Sequence, residues 1–217
     1  MTTVMITGAN RGVGYEMAAQ MAARGDHVIG GARNGDTPGE TLRVDVTDTS
    51  SLDALAARLG DAPLDLLVCN AGAYIGRGGI DDPAYTPEAF AEVLAINVTG
   101  VFLTIKAALP ALRRAKGKIA IISSQMGSSE RAKGRGYIYR ASKAAATNLA
   151  CNLAKDLAPE GIAVGAYHPG WVQTDMGGSA ADVTAKESAS GLIQRFDALN
   201  LSTTGCFEFY TGEAIPF

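Results

Sequence analysis

Short apolar runs alternate with longer stretches of helical periodicity from one end of this chain to the other. Period-2 or continuously apolar segments predict strands at Thr3–Thr7, His27–Gly31, Leu42–Val44, Leu64–Cys69, Lys118–Ser123, Ile162–His168 and Cys206–Tyr210. Helical spacing predicts helices over Val13–Arg24, Leu52–Leu59, Pro87–Arg114, Tyr137–Leu157 and Ala185–Leu199. Thr49 or Ser50 is the expected cap of the second of these, and Pro87 suits the start of the third. Leu64–Cys69 is almost unbroken in its apolarity, as a strand covered on both faces requires. Strand and helix alternating in this way predict an α/β fold, a doubly wound, Rossmann-like parallel sheet of about seven strands. No linker, repeat or low-complexity stretch divides residues 1–217, so one domain is expected.

Composition narrows the class. Hydrophobic residues make up 47% and charged residues 19% of 217, a globular balance with enough chain for a sizeable core. A net charge of −3 gives no electrostatic case for nucleic acid. The start, Met1-Thr-Thr-Val-Met-Ile-Thr, lacks the basic flank and apolar run of a signal peptide, and no unbroken apolar run approaches a membrane span. Cys69, Cys151 and Cys206 are odd in number and far apart, which suits a reducing compartment. His27 and His168 have no clustered partners, so no metal site is expected. These features together predict a cytoplasmic protein.

The candidate chemistry begins right after the first strand, with Thr7-Gly8-Ala9-Asn10-Arg11-Gly12-Val13-Gly14 leading into a helix. Glycines there permit a tight turn and close backbone approach to a pyrophosphate, which the helix N-terminus then meets with free N–H groups. The spacing G-x-x-x-G-x-G is neither the G-x-G-x-x-G fingerprint nor a P-loop. At the end of the second strand, Gly30-Gly31-Ala32-Arg33-Asn34 has no carboxylate to hold ribose hydroxyls. Arg33 and Arg11 can instead clamp a 2′-phosphate, which favours NADP(H) with NAD(H) as the lesser possibility. Further on, Tyr139 and Lys143 stand four residues apart on one helix face. A cation there is expected to lower the phenol pKa and so make a proton donor and acceptor for neutral pH.

With these pieces in order the chain resembles the short-chain dehydrogenase/reductase family over almost its whole length. The matching motifs are the glycine loop, Asp45-Val46, Asn70-Ala71-Gly72, Asn97, Ser123-Ser124, Tyr139-x-x-x-Lys143 and Pro169-Gly170-Trp171-Val172-Gln173-Thr174. The resemblance implies that Asp45 and Val46 bind adenine, that Asn70, Ala71 and Gly72 lie beside the cofactor, and that Val172 and Thr174 anchor the nicotinamide carboxamide. It implies an active site of Tyr139 as proton donor, Lys143 on the nicotinamide ribose, Ser124 on the carbonyl oxygen and Asn97 positioning a water. Ser124 precedes Tyr139 by 15 residues, more than in many members, so Ser128, 11 residues before it, is the alternative. The tail from Gly205 to Phe217 and the His168–Gly178 segment look most like sniffer-type carbonyl reductases and bacterial C-factor proteins.

The expected activity is NADPH-dependent reduction of a ketone or aldehyde. Gln125, Met126, Tyr74, Tyr137, Trp171 and Met176 are the substrate-facing candidates, and nothing in them demands a charged substrate. His168 is expected to be a strand-end residue without a catalytic role. The alternatives are a dinucleotide-binding signalling protein of C-factor type and an NAD-linked alcohol dehydrogenase. The family resemblance implies pairing through the helices Pro87–Arg114 and Tyr137–Leu157 into a homodimer or homotetramer.

Overall fold

In the computed structural model, which describes residues 2–217, seven parallel strands form one sheet in the order β3-β2-β1-β4-β5-β6-β7. The strands are β1 (Thr3–Thr7), β2 (His27–Ala32), β3 (Glu40–Arg43), β4 (Leu66–Cys69), β5 (Lys118–Ile122), β6 (Ala163–His168) and β7 (Phe207–Phe209). Because side chains alternate across a pleated strand, the inner strands β2, β1, β4, β5 and β6 feed two cores. Val4, Ile6, Val68, Ala120 and Tyr167 pack under α1 (Gly12–Ala23) and α6 (Ala185–Ala198). Met5, Leu67, Cys69, Ile121 and Val164 pack under α2 (Thr49–Leu59), α4 (Gly100–Ala115) and α5 (Tyr137–Leu157). Helices on both faces explain why β4 is buried at every position. The chain runs outward from β1 through β2 and β3, then returns to β1's other side as β4. The crevice at the β1/β4 carboxyl ends is therefore the topological switch point.

Three departures from the pattern-based reading have local causes. β3 runs over Glu40–Arg43, two residues earlier than expected, because an edge strand tolerates Glu40, Thr41 and Arg43 while the apolar signal marks only its end. The α2 cap is Asp48, not Thr49 or Ser50; its carboxylate accepts from the Ser50 and Ser51 amides and also suits the positive end of the helix. The stretch expected as one helix over Pro87–Arg114 is α3 (Pro87–Leu94), a π-turn at Ala95–Thr99, and α4. The wider turn buries Asn97, which a continuous α-helix would place by the 3.6 period alone.

Taken as a unit, Pro87–Ala115 is long and apolar enough to cross a membrane, with a mean hydropathy of 1.7 over 18 residues. That corrects the expectation that no segment reaches such a length, which counted only unbroken apolar runs. In the fold part of its apolar surface is spent on the sheet, where Val101, Ile105, Ala108 and Leu112 are buried, while Phe90, Leu94 and Phe102 stay exposed.

Candidate active site

The first wall of the crevice is made of backbone. Gly8 adopts φ 68° and its amide donates to Gly31 O at 2.8 Å, which turns the chain from β1 toward α1. A Cβ at Gly14 would overlap the Gly8 carbonyl and the Asn70 amide, so only glycine lets α1 start this close to β4. No side chain caps α1, and its first turn has no acidic residue. Its free N–H groups suit a phosphate. Asn70 donates from Nδ2 to Thr7 O and Gly8 O, while the Thr7 hydroxyl accepts the Asn70 and Ala71 amides. Across the crevice Thr174 faces Gly12, where a Cβ would come within 3.1 Å of its methyl group. A missing side chain at Gly12 leaves that gap narrow and open, which fits a dinucleotide lying on the glycine loop.

The adenosine end is more mixed. Arg33 is exposed, and its carbonyl accepts from Arg43 Nη1 at 2.8 Å, so a third arginine that the sequence reading passed over joins the group. Asn10 reaches from the loop to Asn34, with Nδ2 3.0 Å from its carbonyl. Arg11 pairs with Asp175 at 3.1 Å, but both side chains are largely exposed, which makes this a weak tether. Asp45 spends one carboxylate oxygen on the amide and hydroxyl of Thr47, and these bonds hold its pKa below the usual carboxylate range. Val46 is buried against Gly100, so its side chain lines the core and only its backbone is left for a ligand.

The second wall carries Tyr139 and Lys143 from the start of α5. Both are buried, and Lys143 Nζ lies 5.6 Å from the Tyr139 ring centre and donates to Ile122 O at 2.7 Å. Burial pushes the Tyr139 phenol up to about 12, a Ser124 hydrogen bond and Arg77 pull it back, and Tyr74 adds to the rise. Burial also brings Lys143 down to about 8. The expectation that Lys143 lowers the phenol pKa is therefore corrected: desolvation dominates, and the opposing cation is Arg77. Tyr139 is a neutral acid at neutral pH.

Of the two candidate serines, Ser124 is the one beside the phenol. It sits just after β5, and its Oγ also accepts the Met126 amide at 3.1 Å. Ser128 Oγ is turned to the Arg131 amide and closes a local turn. Asn97 is brought to the site by the π-turn. Its Oδ1 accepts the Ala73 amide at 2.8 Å, while Nδ2 donates to Ala73 O and Ser142 Oγ, both at 2.9 Å. Both Nδ2 protons are thus engaged, which leaves the second lone pair of Oδ1 and the main chain for a water. Ser142, which the sequence reading missed, ties this turn to α5 and returns its own proton to Tyr139 O at 2.8 Å. Gly72 sits between Asn97 and Lys143, with room for no more than a small group.

The remaining candidates form a rim. Tyr74 stacks on Tyr139 with ring centres 4.2 Å apart, and Arg77 lies over Tyr74 at 4.7 Å. Arg77 also donates to Met176 O at 2.6 Å, joining the loop after β4 to the loop after β6. Trp171 is 50% exposed, its indole bonded to Gly177 O. Gln125 is held by Arg131, Met126 lies near Tyr74 beside Gly136, and Tyr137 packs edge-on against Tyr85 at the outer margin. Pro169 and Gly170 shape the bend after β6, where the Pro169 carbonyl accepts from Ser188 and Gly170 takes φ 89°. His168 is buried with both ring nitrogens unpartnered. Burial first, then Lys143 and Arg131, push its pKa down to about 4. Arg77 gave no periodic signal; the one available hint was its position in a glycine-framed loop following a central strand.

Comparison with known proteins agrees with this geometry. The profile described as short chain dehydrogenase matches residues 2–185. The C-signal protein of Myxococcus xanthus is 37% identical over 166 residues, covering 76% of this chain and 99% of its own. The NADPH-bound carbonyl reductase from chicken fatty liver superposes with a TM-score of 0.91 at 30% identity, covering 100% of this chain and 99% of that one. The carbonyl reductase Sniffer of D. melanogaster gives 0.92 at 27%, with both chains covered completely. The family match over most of the chain and the full-length superpositions thus agree in sequence and in shape, and the chain belongs to the short-chain dehydrogenase/reductase family, on its C-factor and sniffer-type carbonyl reductase side.

Proposed function

We propose that this oxidoreductase reduces a ketone or aldehyde with NADPH, with Tyr139 as the acid. The observation that carries the reading is the buried, neutral Tyr139 phenol, with Ser124 beside it, set at the strand ends opposite the glycine loop. NADPH, when bound, supplies the hydride. Tyr139 gives its proton to the carbonyl oxygen, and Ser124 donates a second hydrogen bond to the charge that develops there. Lys143, buried next to Tyr139, offers a donor to the nicotinamide ribose. Asn97 fixes the turn around Ala73 and leaves an Oδ1 lone pair and its main chain to hold a relay water. Val172 and Thr174 offer backbone and hydroxyl groups for the carboxamide.

NADPH is favoured over NADH by the lack of a carboxylate in Gly30–Asn34 at the end of β2 and by Arg33, Arg43 and Arg11 around that point. The chicken carbonyl reductase named above, a similar structure, has NADPH bound. Pairing through α3–α4 and α5 is proposed as well, because Phe90, Leu94 and Phe102 are exposed on that side. A groove of about 740 Å³ between Val98, Ala145, Cys151 and Phe217 adds apolar surface there.

The test is NADPH oxidation with a panel of ketones, quinones and aldehydes, comparing the native chain with Tyr139→Phe. Turnover that falls roughly 10²- to 10⁴-fold in the variant, with NADPH affinity kept, is the expected result. The C-signal similarity supports a second reading, a dinucleotide-binding signalling protein. Tight NADPH binding with no turnover on the whole panel would replace the first reading with that one.

A further inference from the structure

Arg77 lies over the Tyr74 ring, at the outer end of the aromatic stack that includes Tyr139. Its guanidinium lies 4.7 Å from the Tyr74 ring centre, and that ring stacks on Tyr139 at 4.2 Å. Among the described residues no carboxylate comes within ion-pair distance of it. Asp82, in the same loop, directs its oxygens to the amides of Gly78, Ala84 and Arg77, not to the guanidinium. Asp175, across the crevice, is paired with Arg11. One Arg77 nitrogen is bonded to Met176 O, which leaves further donors of the five-donor fork uncommitted.

The backbone around Arg77 is fixed on both sides. The Tyr85 hydroxyl lies within hydrogen-bond distance of Gly76 O at 3.2 Å and Gly78 O at 2.7 Å, the carbonyls flanking Arg77. The same hydroxyl accepts the Tyr137 amide at 3.3 Å, and Gly136 N donates to Gly78 O. Gly76 stands at φ 70°, with no space for a Cβ beside the Tyr85 ring. The loop is thereby docked on the first turn of the helix that carries Tyr139. A guanidinium held at a set place over an acid, without a counter-ion, is what recognition of a substrate anion requires. Tyr74, Tyr137, Trp171, Met176 and Met126 give the rest of the rim a largely aromatic or apolar lining, with Gln125, bonded to Arg131, as its polar member.

We propose that Arg77 is an anion subsite, and that the substrates reduced at Tyr139 are carbonyl compounds carrying a carboxylate or similar anion on an aromatic or apolar body. This rests on the carbonyl-reductase reading for its chemistry, and on the rim geometry for its selectivity. Arg77 binds the anion end while Ser124 and Tyr139 hold the carbonyl oxygen. One aromatic ring separates Arg77 from Tyr139, so a spacer of about that size is expected between the two ends.

The probe pair is 4-formylbenzoate and its methyl ester, alike in shape and different in charge. The measured quantity is the ratio of their kcat/KM values in the native protein, Arg77→Leu and Arg77→Lys. A ratio of about tenfold or more in favour of the acid, lost in Arg77→Leu and partly kept in Arg77→Lys, is expected from charge-assisted hydrogen bonds. A ratio near one, or one that Arg77→Leu leaves alone, overturns the proposal. A loop that merely collapses in the variant lowers kcat/KM for both substrates together and leaves their ratio as it was, which overturns the proposal too. Trp171 is the only tryptophan, and it belongs to the loop that Arg77 holds, so quenching of its fluorescence by benzoate reads binding without turnover. Quenching that needs Arg77, with neither these aldehydes nor any member of the wider panel reduced, supports the anion subsite and sinks the carbonyl-reductase reading. No Arg77-dependent quenching and no turnover sinks both.

Discussion

The two walls of the crevice are built from different materials. On the cofactor side the surface is main chain: Gly8 turns the backbone, Gly12 and Gly14 bring the start of α1 close to it, and the Thr7 and Asn70 side chains serve to hold backbone to backbone. On the substrate side it is side chain, with Tyr139, Tyr74 and Arg77 stacked from two segments far apart in sequence. A backbone wall tolerates few substitutions because its shape is set by what is missing. A side-chain wall can change its chemistry one residue at a time while the sheet beneath it stays put. This difference lets one fold keep a dinucleotide and vary the substrate.

Substitutions on the two walls should therefore fail in different ways. The largest effect is expected on the side-chain wall. Ser124→Ala removes a donor to the developing oxyanion, at a cost of about 10²- to 10³-fold in kcat. Single-turnover kinetics with saturating NADPH would show it, with NADPH affinity unchanged. If Ser128→Ala gave the loss instead, the pairing of Ser124 with Tyr139 would not be the working one. On the backbone wall Gly14→Ala should act on stability and cofactor binding together. Its Cβ meets a carbonyl and an amide that the sheet holds in place, so a loss of about 3 kcal/mol is expected in urea unfolding. A variant that kept native stability but lost only turnover would erase the distinction between the walls.

The same difference governs what the sequence could tell. The glycine loop, Asn70 and the Tyr139–Lys143 pair belong to contiguous motifs, and contiguous motifs carry their geometry in their spacing. Strand order and the two-faced core followed from alternation of apolar runs with helical periods. The π-turn at Ala95–Thr99 was invisible, because one added residue per turn leaves the apolar period almost unchanged. Arg77 was invisible for another reason: its partners Tyr74, Met176 and, through Tyr74, Tyr139 meet only when the loops after β4 and β6 converge on the start of α5. The direction of the Tyr139 pKa shift was also out of reach, since neighbours can be read from spacing but depth of burial cannot.

His168 gives the side-chain wall a pH-dependent cost that the backbone wall lacks. In the fold its pKa is pushed down from 6.5 to about 4, mainly by burial. Between those values the unfolded chain holds a proton that the folded protein does not, so stability rises with pH across this window and falls as pH drops from 6.5 to 4. The loss at pH 4 should be about 3 kcal/mol. Urea unfolding at pH 7 and pH 4 would measure it, and His168→Leu should remove that part of the acid dependence. An unchanged acid dependence in the variant would mean that a hydrogen-bond partner satisfies the ring.

The smallest effect is expected at the adenosine end, where the cofactor wall gives way to side chains. Arg33 is exposed and meets Arg43 only through its own carbonyl, so its guanidinium is available to a 2′-phosphate. Arg33→Ala should weaken NADPH binding by about tenfold, the lower range for a charge-assisted hydrogen bond open to water. NADH binding, which involves no such phosphate, should stay as it was. Arg11→Ala should do less, because Arg11 is already drawn toward Asp175 and its charge is screened by solvent. Titrations of NADPH and NADH against all three proteins separate these outcomes. Equal weakening of both nucleotides would place Arg33 on the pyrophosphate or adenine, and NADPH preference would then have to come from Arg43. Unchanged binding of both would show that this end of the wall, like its centre, recognises the dinucleotide through backbone.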